Sequence, residues 1–226
     1  MHPTPSPAPS ASAPPVEGSF ALSNEELQQM VAETDTGGRK PTGLAARIII
    51  GVALVWSLFQ LWIASPLPFS FGVFVLNDTE TRSIHLALAI FLAFLAYPAF
   101  KKSPRTHIPV TDWILAIAGA FCAGYLYLFY RELATRPGLP TTLDLIAAAG
   151  GLALLLEAAR RALGLPLVIL ASLCIAYIFL GSYMPDVIAH RGASLGKAMS
   201  HLWITTEGVF GVALGVSTSF IFLFVL

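Results

Sequence analysis

The residues best placed to bind something polar within an apolar stretch are Glu207, Ser217, Thr218 and Ser219. Glu207 follows Thr205 and Thr206, which can cap a helix, and a carboxylate in a first helical turn is favoured by the macrodipole. The three successive hydroxyls lie in the apolar run that continues to Leu226. At membrane depth such hydroxyls usually bond back to a carbonyl one turn earlier, and transporters use the same positions, with interrupted helices, to hold ions. These four residues are the candidate substrate or ion contacts, with capping and packing as their plainer roles. Gly208, Gly211, Gly215 and Ser219 add a small-residue ridge that permits close helix approach.

The remaining chemistry-bearing residues point to structure. Glu157 stands three and four residues before Arg160 and Arg161, the spacing of a helix-surface ion pair rather than a proton relay. His85, just after Arg82, suits an interfacial hydrogen bond better than ligation, and His190 and His201 share a loop without a helical ligand spacing. Cys122 and Cys174 sit in apolar runs and act as small hydrophobes, offering neither a disulfide framework nor a metal set. Zinc-protease, nucleophile-elbow and phosphate-loop motifs do not occur, so the chain reads as no enzyme, with no cofactor of its own.

The elements that carry these residues are set by composition. Of 226 residues, 56% are hydrophobic and 12% charged, and the mean hydropathy is +0.73. A lipid bilayer is the simplest solvent for such a chain. Thirteen basic and thirteen acidic residues cancel, which leaves no global field to recruit nucleic acid. Crossing the hydrocarbon takes about twenty apolar residues. Stretches at 44–64, 83–100, 113–130, 143–159, 165–184 and 208–226 meet or approach that length. The expected fold class is all-α, a multi-pass protein of about six spanning helices. Trp113, Tyr130, Tyr183 and Trp203 are expected at the lipid–water interface.

Arg39, Lys40 and Arg47 precede the first span, Lys101, Lys102 and Arg105 follow the second, and Arg160 and Arg161 follow the fourth. The excess of basic residues on that side places the N terminus in the cytoplasm. Residues 1–42 form a tail: a Pro-, Ser- and Ala-rich tract at 1–15 that cannot bury enough surface to fold, then a short amphipathic helix at 23–33. Ala147 and Gly151 have small-xxx-small spacing and should pack tightly against another helix. Phe69, Phe71, Val73 and Val75 suit an apolar loop resting in the interface. The final run, Phe220 to Leu226, lacks a polar anchor, and the chain is expected to be the front part of a longer polypeptide.

Six stretches together carry a family resemblance: ETDTGGRKPTG at 33–43, RSIHLALA at 82–89, YRELATRPGLPTTLD at 130–144, EAARR at 157–161, GSYMPD at 181–186 and TEGVFGVALGVSTS at 206–219. In this order they resemble the membrane component of TRAP (tripartite ATP-independent periplasmic) transporters, in particular the fused TAXI-type permeases. The resemblance implies that 43–162 is the four-helix small permease part, a scaffold, and that 163–226 begins the large permease part. It further implies uptake of an organic acid or similar solute driven by an ion gradient, with Na+ the usual coupling ion. The implied partners are a periplasmic solute-binding protein, the remainder of the large permease part and the lipid bilayer of a bacterial inner membrane. The family's ion and substrate sites are expected beyond Leu226, so the stretch from Glu207 to Ser219 is the nearest approach to them here. The rival reading is a non-transporting membrane scaffold or assembly subunit.

Overall fold

Inside lipid a backbone amide finds no water, so each apolar stretch must close its hydrogen bonds upon itself. The computed structural model describes residues 38–39, 41–100, 103 and 107–225. The expected unfolded tract at 1–15, the amphipathic helix at 23–33, and Lys40, Lys101, Lys102 and Arg105 lie outside the described residues. In chain order the helices are α1 (Leu44–Ala64), α2 (Leu67–Phe71), α3 (Asp78–Ala96), α4 (Val110–Leu128), α5 (Tyr130–Thr135), α6 (Thr142–Leu163) and α7 (Leu165–Leu180). They continue with α8 (Leu195–Met199), α9 (Val212–Val216) and α10 (Phe222–Val225). A 3-10 turn, Gly181–Tyr183, extends α7, and π turns at Ser200–Ile204 and Ser217–Ile221 come after α8 and α9. Five helices, α1, α3, α4, α6 and extended α7, are long and apolar enough to cross a membrane, and no strand occurs among the described residues. The protein is an all-α, multi-pass membrane protein.

Side-chain caps make two spans start earlier than hydropathy alone indicates. The Asn77 side chain accepts from the Glu80 amide and the Glu80 carboxylate accepts from the Asn77 amide, both at 2.9 Å, which starts α3 at Asp78 rather than at 83. Thr141 and Asp144 form the same reciprocal box at the start of α6. Hydropathy tracks the hydrocarbon, whereas caps carry the helix on into the headgroup layer.

The sixth expected span, 208–226, differs from the continuous helix anticipated. Gly208 to Gly211 form a turn, and helix begins only at Val212, running through α9, its π turn and α10 to Val225 as one short apolar helix. The Val209 amide donates to the Leu202 carbonyl at 2.8 Å, folding the chain back on its preceding segment. A Cβ on Gly208 would lie on the His201 and Leu202 carbonyls. Two glycines of the expected packing ridge, Gly208 and Gly211, thus serve a backbone reversal, whereas Gly215 allows the close approach expected of it.

The core lies where α3, α4 and α6 meet. Ala116, Gly119 and Ala123 make a narrow strip on α4, and Ile90 of α3 sits directly over Gly119. Ser83, fully buried, donates to the Ala123 carbonyl at 2.7 Å and so ties α3 to α4 at a second point. Trp203, expected at the interface, is instead 0% exposed. Its ring fills the space that a Cβ on Gly151 would occupy, and its indole N–H donates to the Cys122 carbonyl at 3.1 Å. The small run at 147–151 therefore packs against a tryptophan, which explains both observations together. Trp203 and Phe210 share the core of the four-helix portion, and Gly37–Leu226 form one compact unit.

By contrast α1 buries only Gln60, and α7 buries no residue. Their Leu, Ile and Val side chains are free to meet lipid. The segment between α1 and α3 exposes Phe69, Phe71, Val73, Phe74 and Val75, but Phe69 and Phe71 stand on the short helix α2 rather than in the loop expected there, because Pro66 and Pro68 favour a helix start.

Candidate functional site

The end of α1 and the start of α3 meet the short helix formed by α9, its π turn and α10. Gln60 is 2% exposed, and its Nε2 donates to the Thr218 carbonyl at 2.8 Å. A π turn shifts the hydrogen-bond register, so its carbonyls need partners from outside the ordinary ladder. Gln60 supplies one. Arg82 supplies the other end of the grip: Nη1 donates to the carbonyls of Phe210 at 3.0 Å and Gly211 at 3.4 Å. The guanidinium passes over Gly215, where a Cβ would stand 2.8 Å from Nη2. Two side chains of the four-helix portion thus hold both flanks of α9.

Between them lies a cleft of about 420 Å³, lined also by Asp78, Thr81, Thr218 and Ser219. Of the four residues singled out in the sequence, the structure brings Thr218 and Ser219 to this cleft. Their hydroxyls donate backwards, Thr218 to the Leu214 and Gly215 carbonyls and Ser219 to Gly215 at 2.9 Å, as expected for hydroxyls at membrane depth. Ser217 is partly buried and does not line the cleft. Glu207 stands apart, its side chain 76% exposed and 3.6 Å from His201 Nδ1. Its expected place in the first turn of a helix is corrected here, because the turn at Gly208 to Gly211 separates it from Val212.

His85 is buried and forms its hydrogen bond inside the helix pair rather than at the interface. It accepts at Nδ1 from the Trp56 indole at 3.2 Å, and both rings pack against Phe222. Among the described residues no three His, Cys, Asp or Glu side chains gather as a metal site would require.

Two further polar constellations hold the bundle. At the cleft end, Asp144 is fully buried: its Oδ1 accepts from Tyr125 Oη at 2.6 Å, and its Oδ2 accepts from the Thr141 amide at 2.7 Å and lies 2.8 Å from Arg136 Nη1. At the opposite end, Asp112 bridges Arg39 and Arg161, and Arg161 in turn pairs with Glu157 at 2.8 Å. Glu157 also binds Arg160 at 2.7 Å, so the ion pair expected from spacing is present and extends into a network of five charges. The Arg39 side chain is 0% exposed, and it donates to the Phe94 and Leu95 carbonyls as well. A residue from before the first helix therefore caps the end of α3.

Sequence reasoning passed over Gln60, Asp112 and Asp144. The signal for them was a lone amide within an apolar span, and a carboxylate in the first turn of each of two others; polar groups there need internal partners. What emerges is a membrane protein whose four-helix portion grips a short apolar helix, at 212–225, by carbonyls at its start and in its π turn. No protein-family model, curated protein or solved structure matches the chain.

Proposed function

We propose that this chain is the scaffold portion of the membrane component of a TRAP-type secondary transporter in a bacterial cytoplasmic membrane. In this reading a periplasmic binding protein delivers an organic acid or similar solute, and an ion gradient, with Na+ as coupling ion, drives its uptake. The observation that supports it is the short apolar helix at 212–225, which follows a glycine turn, contains a π turn, and is held at the Phe210, Gly211 and Thr218 carbonyls by Arg82 and Gln60. The non-helical backbone at Gly208 to Gly211, where this helix begins, is of the kind transporters use near their sites, and such backbone persists at depth only where protein satisfies it. The division of labour makes the portion at 43–162 a brace, with the solute path completed by the remainder of the large permease part. Glu207, Ser217, Thr218 and Ser219 stay the nearest candidates for contact with that path.

The test is reconstitution. The chain alone in liposomes should accumulate no solute under a sodium gradient, and uptake by it alone would refute the scaffold role. Joined with the remainder of the large part, it should capture the periplasmic binding protein; failure to do so would favour a non-transporting assembly subunit. The orientation has its own check, Ser103→Cys in a background lacking Cys122 and Cys174. The introduced thiol should resist an impermeant reagent in intact cells, and ready labelling would reverse the topology.

A further inference from the structure

The segment that joins α1 to α3 carries no charge and turns its hydroxyls inward. From Ile48 to Asn77 the sequence holds no charged residue, although α1 itself ends at Ala64. About twenty apolar residues suffice for one crossing, so the apolar run continues well past the edge of the bilayer. The exposed stripe of α1, with Leu54, Leu58 and Leu61, leads into Phe69 and Phe71 of α2 and then Phe74. Ser65 Oγ donates to the Trp62 carbonyl at 2.8 Å, and Ser70 Oγ donates to the Pro66 carbonyl at 3.1 Å. The Trp62 ring stacks on Phe71 with centroids 6.3 Å apart, which pins α2 to the end of α1. A surface that meets a protein partner carries a polar rim. This one is continuous with the lipid-facing side of α1 and keeps its few polar groups for its own backbone.

Phe74 adds a second, independent observation. Its φ is +51°, in the left-handed region where a β-carbon is crowded and a bulky side chain is rare. Such strain persists only where the surroundings over-determine it. Packing within the protein does not supply that here, because Phe74 is 65% exposed. Transfer of the ring from water into lipid does. We infer that residues 66–75 are a wedge inserted into the leaflet at which α1 ends, with Phe74 as its tip. The apolar faces of interfacial segments sink about 5–10 Å into the boundary between headgroups and acyl chains. At that depth water still reaches the backbone of residues 72–76, which is not helical. The wedge fixes the depth of the two helix ends that hold the helix at 212–225, and the inference is independent of any transport role.

The experiment reads depth with a spin label on the full chain in liposomes, in a background of Cys122→Ala and Cys174→Ala. The reference is a label at Glu132→Cys, an exposed charged position on α5. A label at Phe74→Cys should collide severalfold more than the reference with dissolved oxygen, which partitions into lipid. It should collide severalfold less with a water-soluble nickel chelate. Nickel collisions equal to those at Glu132→Cys would put residue 74 in water and overturn the inference. Few collisions with either reagent would mean that a second copy or another chain covers the segment, which overturns it equally. A label at Val75→Cys tests the tip: adding Phe74→Asp should raise its nickel collisions severalfold, because a carboxylate draws the segment back to water. Unchanged nickel collisions would show that the wedge seats without Phe74 and would overturn its assignment as the tip.

Discussion

Asp112 and Gln60 are both buried polar side chains near opposite ends of the same bundle, yet they are bonded differently. Asp112 is bracketed by two guanidinium groups, each itself almost fully buried. Gln60 has one bond, to a π-turn carbonyl, and one acceptor left over. The Asp112 end joins Arg39, α3, α4 and α6 through charges that cannot separate without stranding one of them in a water-free interior. The Gln60 end joins α1 and α3 to the short helix at 212–225 through neutral carbonyls and leaves a cleft. One end is a lock, and the other is a grip with a cleft of about 420 Å³ beside it.

Replacing a member of the lock should do the most damage. Asp112→Asn leaves Arg39 and Arg161 buried without their shared carboxylate and should cost about 3–5 kcal/mol in denaturant titration in detergent. A loss below about 1 kcal/mol would show that water reaches this network. Asp144→Asn sharpens the comparison, since Asp144 is equally buried but lies at the cleft end. Its loss should cost about 1.5–3 kcal/mol in the same titration, because its partner Arg136 is partly exposed and can turn to solvent. A cost matching that of Asp112→Asn would show that burial of the carboxylate alone, not that of its partner, sets the effect.

The grip should yield more easily. Gly215→Ala pushes a methyl against the Arg82 guanidinium, a movable side-chain end, and should cost about 1 kcal/mol, read as a drop in thermal stability. Gln60→Leu should be the mildest, below about 1 kcal/mol, because it loses one hydrogen bond but also removes the unpaired Oε1. A loss above about 2 kcal/mol in thermal or denaturant unfolding would show that the Thr218 carbonyl finds no other donor once Gln60 is gone.

Much of the architecture was legible in advance. The spans at 44–64, 113–130, 143–159 and 165–184 correspond to helices within a few residues, because membrane insertion depends on a local sum of side-chain transfer energies. The Glu157 ion pairs were readable for the same reason, as three- and four-residue neighbours on one helix. The back-bonding of Thr218 and Ser219 is equally local.

The features that gather a site were not local. Arg39 meets Asp112 across 73 residues and Gln60 meets Thr218 across 158. Nothing in either neighbourhood names the partner; which helix ends meet is decided by packing of the whole bundle. Trp203 reads as an interfacial aromatic until Gly151 is seen to make room for its ring. The stretch at 208–226 reads as one span until its glycines are found bonded back to the preceding segment. Hydrophobicity adds residue by residue along a chain, so the sequence by itself determined that this protein is helical and lives in a membrane. Burial of charge and a backbone turn among apolar segments are stable only when distant groups arrive to satisfy them, so the lock, the grip and the cleft belong to the tertiary structure.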